Sequence, residues 1–357
     1  MRLLNLVLLI SLFISSCKND EVDVQVFEEN YGEGMYVTTD IGISYYNYQD
    51  SLADVKNQIF KEVNMATLNS LKKIKFFGDR AYILTENYLV VVNSKTFEDL
   101  GSIYGFVNAS DFDFLASTNR ILVADKGASK AKVVDLDRME ITTDIETGDS
   151  TRPVFIISNS YKSFVLNGGG ESINNKDSTI ISIEYKDDLV NLADFEGSLI
   201  VGKNPNSALF TSSGRLKVLC QGVYESANAL VNTQSSLSDV NQYNNEVYST
   251  DFLSGIFNAQ NLVPNYNNSG CFLTADGGVY RLNLNGLGVS LIESVNADVL
   301  SSKTEAYNDT DSTVAYSDML YMNNLDMPNN IYKYNVNLSL FVDTIIVDGT
   351  VLDIKFN

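Results

Sequence analysis

The last seven residues, Val351 to Asn357 (VLDIKFN), repeat a segment near the start of the chain. Ile354, Lys355 and Phe356 match Ile74, Lys75 and Phe76 of LKKIKFFGDRAYILTENYLVVVN, Leu71 to Asn93. The upstream copy continues into two further strand-like segments; the C-terminal copy has none after it in this sequence. Its continuation is found at the other end. Gly34 to Asn47 (GMYVTTDIGISYYN) aligns without a gap on Arg80 to Asn93. Tyr36 falls on Tyr82, Val37 on Ile83, Thr39 on Thr85, Asp40 on Glu86 and Asn47 on Asn93, every pair 46 residues apart.

A repeat unit completed by joining the first and last strands implies a ring, because closure removes the unpaired edges that an open array of strands would expose. Units of ~40–50 residues with several strands each are the rhythm of β-propeller blades. Residues 31–357 divided by ~46 give about seven. Strand-like runs rich in Val, Ile, Tyr and Phe recur between Gly, Asn and Asp turns: RILVADKGASKAKVVDLD, KSFVLNGGG then STIISIEY, RLKVLC, CFLTADGGVYRLNL, STVAYSDMLYM then NIYKYNV. Proline is limited to four residues, and no window keeps a helical period. The expected fold is all-β, a seven-bladed β-propeller closed by pairing of the N- and C-terminal strands. A pair of β-sandwiches is the competing architecture. The sixth blade, around Leu262 to Glu293, departs most from the pattern, and its innermost strand has no clear signal.

The segment before the ring reads as an address. Arg2 precedes an apolar run from Leu3 to Phe13, shorter than the ~20 residues needed to span a bilayer, which suits a cleaved export signal. It ends in Ile14-Ser15-Ser16-Cys17, a lipobox, so residues 1–17 are expected to be a lipoprotein signal with a lipid on Cys17, residues 18–30 a flexible acidic tether and 31–357 the propeller. A plain signal peptide with an incidental cysteine is the other reading. The 25 basic against 45 acidic residues leave a net charge of −20, which repels nucleic-acid phosphate. Cys220 and Cys271 stand in apolar runs and fit either a disulfide or buried free thiols.

The chain has no histidine. Ser-His-Asp and Cys-His catalysis, imidazole-metal sites and His-dependent lactonase chemistry are therefore absent. Carboxylate chemistry survives, with Asp125, Asp276, Glu171 and Glu86 as the acids on one side of the ring, but Asp and Glu are also ordinary turn formers. The pairs Asp135/Asp137 and Asp309/Asp311 fit calcium or solvated turns, and neither continues into a calcium loop. The expectation is a binding protein without enzymatic activity, cofactor or metal.

Binding would use the side of the ring where the loops between second and third strands, and between successive blades, converge. Laid out on the Leu71 to Asn93 copy, that side receives Glu86 and Asn87, Lys126, Asn167 and Glu171 in the glycine-rich stretch to Asp177, Asp276 and Asn323. A long stretch from Gln221 to Asn245, rich in Asn, Ser and Gln, carries Tyr224 and Tyr243 and reads either as a disordered insertion or as a lid.

Three further stretches carry a family resemblance. VGKNPNSALF (Val201 to Phe210) is similar to the junction of YVTN-type propellers, where Val-Gly and a nearby Pro open the next blade. TGDSTRPVFIISNSYKSFVLN repeats it loosely with Gly148 and Pro153, and MYVTTD resembles the tetrapeptide itself with Thr39 in place of its Asn. Lys18-Asn19-Asp20-Glu21 is similar to the signal that exports Bacteroidota lipoproteins to the outer face of the outer membrane. The resemblance implies a cell-surface lipoprotein that captures a small nutrient such as cobalamin for a TonB-dependent transporter, attached to the membrane by its lipid alone. It carries over no ligand-contacting residue. An adhesion propeller that recognises protein or glycan is the alternative.

Overall fold

The computed structural model describes residues 31–50, 53–115, 118–185, 193–284, 288–308 and 314–357; Cys17, the lipobox, the tether and Asp309/Asp311 lie outside them. The described residues form seven antiparallel sheets in a ring. The first takes β1 (Met35–Thr39) and β2 (Ile43–Tyr46). Blade 2 comprises β3 (Leu71–Phe77), β4 (Arg80–Thr85), β5 (Tyr88–Asn93) and β6 (Asp99–Tyr104), and blade 3 β7 (Ala109–Leu115), β8 (Arg120–Asp125), β9 (Lys130–Asp135) and β10 (Glu140–Glu146). Blade 4 holds β11 (Pro153–Ser158), β12 (Lys162–Asn167), β13 (Thr179–Tyr185) and β14 (Ala193–Ile200). Blade 5 holds β15 (Pro205–Phe210), β16 (Arg215–Cys220), β17 (Ser236–Asn241) and β18 (Glu246–Phe252). Blade 6 follows with β19 (Gln260–Pro264), β20 (Gly270–Ala275), β21 (Gly278–Asn283) and β22 (Val289–Glu293). Blade 7 has β23 (Leu300–Asn308), β24 (Val314–Asn324), β25 (Met327–Asn335) and β26 (Leu340–Ile346), and β27 (Val351–Phe356) returns to blade 1. Its order there is β2-β1-β27, with the last strand innermost.

Ring closure reproduces the internal repeat bond for bond. Val37 pairs with Ile354, Tyr36 with Lys355 and Met35 with Phe356; one repeat on, Ile83 pairs with Ile74, Tyr82 with Lys75 and Ala81 with Phe76. The Thr39 hydroxyl donates to Gly42 O at 3.0 Å and the Thr85 hydroxyl to Tyr88 O at 2.8 Å, the same bond 46 residues apart. Asn47 and Asn93 each accept the N–H two residues on, at 3.1 and 2.8 Å, an Asx turn that only a side chain of this length closes. The weak inner strand of the sixth blade is β19, which pairs with β20 through only part of its length.

Strand alternation explains why the middle strands are apolar on both faces. Ile83 and Ala81 pack toward blade 1 with Tyr36 and Ile43, whereas Tyr82 and Leu84 pack toward blade 3 with Phe112 and Val123. Every blade is thus a wall between two cores. The Val201-Gly202 junction has its own steric reason: a Cβ on Gly202 would lie 2.1 Å from Ser236 Oγ and 2.9 Å from Cys220 Cβ.

We call the strands of a blade a to d from the channel outward. The b–c turns and the d–a connections share one side of the ring; the a–b and c–d turns share the other. The chain enters on the second side, where Tyr31 N donates to Lys95 O and Gly34 exchanges backbone bonds with Asn357.

Candidate functional site

On the b–c side, the residue ending each b strand tends to hold the connection that enters the same blade. The Asp125 carboxylate accepts Val107 N and Asn108 N at 2.9 Å each. Asn323 Oδ1 accepts Asp298 N and Val299 N at 3.0 Å, while its Nδ2 donates to Asp298 Oδ1 at 2.6 Å. Thr39, in the tetrapeptide position where the Asn is missing, sits at the same place in blade 1. Asn167 follows the pattern differently. Fully buried, it donates to Thr179 Oγ1 at 3.0 Å and Thr147 O at 3.4 Å, and its Oδ1 has no hydrogen-bond partner among the described residues. Asn167 and Asn323 therefore lie beneath the surface the loops form, as braces of the loop bases.

Three charged groups meet above Asn167. Glu171 lies 3.1 Å from Lys126 Nζ and 3.0 Å from Arg152 Nη1, joining the b–c turns of blades 3 and 4 to the connection between them. Lys126, with Arg152 beside it, holds this exposed carboxyl below its usual range. Next to this group a cleft of about 700 Å³ runs between β10 and β13–β14. Its walls are apolar at Ile145, Ile181, Ala193 and the half-exposed Phe195 and polar at Thr143, Asp144, Glu146 and Ser198; its b–c end is polar, with Thr147, Thr151, Thr179 and Asp177. The Thr179 hydroxyl donates to Asp177 Oδ1 at 2.6 Å while accepting from Asn167. The sequence thus brings Lys126, Asn167 and Glu171 to one place, and the apolar wall beside them had no signal beyond ordinary strand alternation.

The other expected residues are dispersed. Glu86 faces Lys72 at 3.8 Å, and Asn87 Nδ2 donates to Val107 O at 3.1 Å. Asp276 accepts both bonds from Asn258 Nδ2, at 3.0 and 2.9 Å. The Gln221 to Asn245 stretch is corrected. It is a b–c arm over 221–235, then strand β17, then a c–d turn over 242–245. Tyr243 consequently sits on the opposite side of the ring from Tyr224. The arm is pinned at its base by a two-way backbone bridge between Val223 and Thr233, at 3.0 and 2.9 Å. Tyr224 packs its ring 5.2 Å from that of Phe257 in the connection to blade 6. At the tip, Leu230 is 97 % exposed.

Sequence reasoning missed a buried charge network at the ring's centre. Asp111 on β7 lies 2.8 Å from Lys73 and 3.5 Å from Lys75 on β3, and its second oxygen accepts Ile156 N of β11 at 3.0 Å. Asp113 pairs with Lys75 at 3.3 Å and accepts Ser158 N at 2.7 Å. Burial opposes the charge on Asp111, but the two ammonium groups prevail and hold its carboxyl below the ordinary value. The signal was the alternation of like charges in LKKIKFF and of Asp in ASDFDFL.

Cys220 and Cys271 are buried free thiols, pushed up to about 12 by burial. Asp135 holds its turn through Asp137 N and Arg138 N, at 3.0 and 3.1 Å, and pairs with Arg120. Among the described residues no group of three or more carboxylates and thiols is placed to hold a metal ion.

No family model matches the chain, and no curated protein matches it. Solved structures do. The periplasmic gluconolactonase PpgL of Pseudomonas aeruginosa has a TM-score of 0.64 at 11% identity, over 91% of this chain and 98% of its own. A putative 6-phosphogluconolactonase from Bacteroides fragilis gives 0.63 at 11%, over 93% and 100%. Apo AztD from Citrobacter koseri gives 0.54 at 7%, over 90% and 96%. At these identities the likeness shows the fold alone, a β-propeller. It also corrects the expectation that the chain is not an enzyme: structural neighbours of this ring bear the names of gluconolactonases. Lacking histidine removes particular mechanisms from this chain and does not set its fold apart from catalytic propellers.

Proposed function

We propose that this chain is an exported, lipid-tethered propeller that captures a small nutrient at its b–c side and presents it to an outer-membrane TonB-dependent transporter. The single observation that carries this reading is the cleft between blades 3 and 4. Its volume lies within the ~300–1,000 Å³ of small-ligand pockets, and apolar side chains set among polar groups are the make-up such pockets have. A corrinoid, the ligand implied by the resemblance in VGKNPNS and MYVTTD, suits these surroundings. Its ring edge would lie against Ile145, Ile181 and Phe195, and its amide side chains would meet Thr151, Thr179 and the Lys126–Glu171–Arg152 group. With no histidine in the chain, such a ligand is held by shape and hydrogen bonds.

Presentation is supported by placement. The described residues begin on the a–b side; attachment to the membrane from that side would leave the b–c side free, and the bare Leu230 at the arm's tip would give a transporter an apolar foothold. The test is recovery of the full-length protein from membranes. Wild type should fractionate with the membrane and co-purify a TonB-dependent transporter after cross-linking; Cys17→Ala should move to the soluble fraction, and Leu230→Asp should lose the transporter while staying membrane-bound. A Cys17→Ala protein that remains lipid-labelled, or a wild type that cross-links to no transporter, contradicts the reading.

A further inference from the structure

Both sides of the ring expose apolar groups. On the b–c side they are mixed, the aliphatic Ile41, Val107, Ile200, Leu230 and Leu325 beside the aromatic Tyr104, Tyr224 and Phe252. On the a–b side, four successive blades each expose a tyrosine in or beside a turn: Tyr161 in blade 4, Tyr243 in blade 5, Tyr266 in blade 6 and Tyr316 in blade 7. The turns around them, SNSYK, NQYNN and NYNNSG, are almost wholly Asn, Ser and Tyr.

Two of these tyrosines line one cavity. Between blades 6 and 7 lies a polar hollow of about 380 Å³, with Tyr266 (67 % exposed) and Tyr316 (69 % exposed) in its lining. Asp318 is nearly buried there and accepts Tyr266 N at 2.8 Å, which fixes the turn that carries the ring. Asn337 Nδ2 donates to Tyr316 O at 3.1 Å, and Asn337 N donates to Ser317 Oγ at 3.2 Å. Arg281 stands over the Phe272 ring at 5.7 Å and lies close enough to Asp318 to favour the charge on its carboxyl. Behind Ser317, fully buried Asn335 accepts that hydroxyl at 2.9 Å, yet its Nδ2 has no partner among the described residues. The hollow therefore combines ordered donors and acceptors with exposed aromatic faces.

We propose that this hollow is a glycan-binding site that takes a pyranose unit. A pyranose carries hydroxyls that need donors and acceptors together and a patch of C–H bonds that rests on an aromatic face. Asp318, Arg281 and Asn337 supply the first need: acceptor, donor and a side-chain amide that serves as both. Tyr266 and Tyr316 supply the second, as rigid contact area at little rotamer cost. A purely apolar ligand would cover the polar groups of Asp318, Arg281 and Asn337 without replacing the water they meet, which disfavours it. The site lies on the opposite side of the ring from the nutrient cleft and stands independently of it.

The test probes the fluorescently labelled full-length protein on a glycan microarray, followed by titration with the best-bound oligosaccharide. Wild type should bind at least one class of glycan. Tyr266→Ala and Asp318→Asn should each weaken that binding by about tenfold or more, while keeping the wild-type melting temperature. Phe195→Ser, in the other cleft, should leave glycan binding unchanged. Wild type that binds no arrayed glycan overturns the proposal, as does a hit that Tyr266→Ala and Asp318→Asn bind as well as wild type does.

Discussion

Lys73 Nζ lies 2.8 Å from Asp111 Oδ1 across the boundary of blades 2 and 3, and no part of the Asp111 side chain reaches solvent. A charge in that position is tolerated only with its partners in place, since removing one member of a buried pair strands the other. Asp111→Asn keeps the shape and leaves Lys73 and Lys75 short of a counter-charge. Chemical denaturation should show a loss of about 3–5 kcal/mol. The same carboxyl sets an acid limit. Its folded pKa is depressed, so its contribution is present above the unfolded value of ~3.9 and is lost as pH falls through the folded value. Wild type should lose stability below about pH 4, and Asp111→Asn should show a shallower acid limb.

Ring closure rests on β27. Val351 and Ile354 are fully buried against Val37, Tyr321 and Ile331, worth ~1.5–3 kcal/mol each before entropy. A typical net stability is only ~5–15 kcal/mol. Truncation after Thr350 should lower the melting temperature by many degrees or make the protein insoluble, because it also bares the edge of β1. A truncated chain that melts like wild type would show that the terminal strand does not close the ring.

The arm offers a sharper contrast. Replacing Tyr224 to Asn232 by Gly-Asn keeps the Val223–Thr233 base, so the blade retains all four strands. Its denaturation midpoint should move little, within the ~0.5 kcal/mol expected of surface changes. Excising Gln221 to Asn245 removes β17 as well and should abolish folding of blade 5. Equal stability of the two deletions would contradict the boundary between arm and strand.

That boundary shows where sequence reading succeeds and where it stops. The ring was legible because Tyr36/Tyr82, Thr39/Thr85 and Asn47/Asn93 do the same work in two copies, and the C-terminal Ile354-Lys355-Phe356 pairs as Ile74-Lys75-Phe76 does. Strand β17 was not legible. In SLSDVN only Leu237 and Val240 are large and apolar; Ser236 and Ser238 are buried as well, and Ser238 is satisfied by Thr250 and Gly202. Small buried hydroxyls look like loop in composition. The charges on β3 and β7 went unread for the opposite reason. Alternating Lys and Asp look like a solvated face, but at the narrow centre of a ring the next inner strand supplies the counter-charge. Asn167 and Asn323 were placed on the correct side and one layer too high, since a strand's last side chain can brace a loop instead of meeting a ligand.

The central claim, capture of a corrinoid in the cleft between blades 3 and 4, is tested most directly by calorimetric and visible-absorbance titration of the full-length protein with cyanocobalamin and methylcobalamin. The account predicts binding of both with closely similar affinity and no new nitrogen ligand in the spectrum, because the chain has no imidazole to offer the cobalt. Phe195→Ser should weaken binding by about tenfold, or ~1.4 kcal/mol. Absence of binding to either corrinoid, or full affinity in Phe195→Ser, would contradict it.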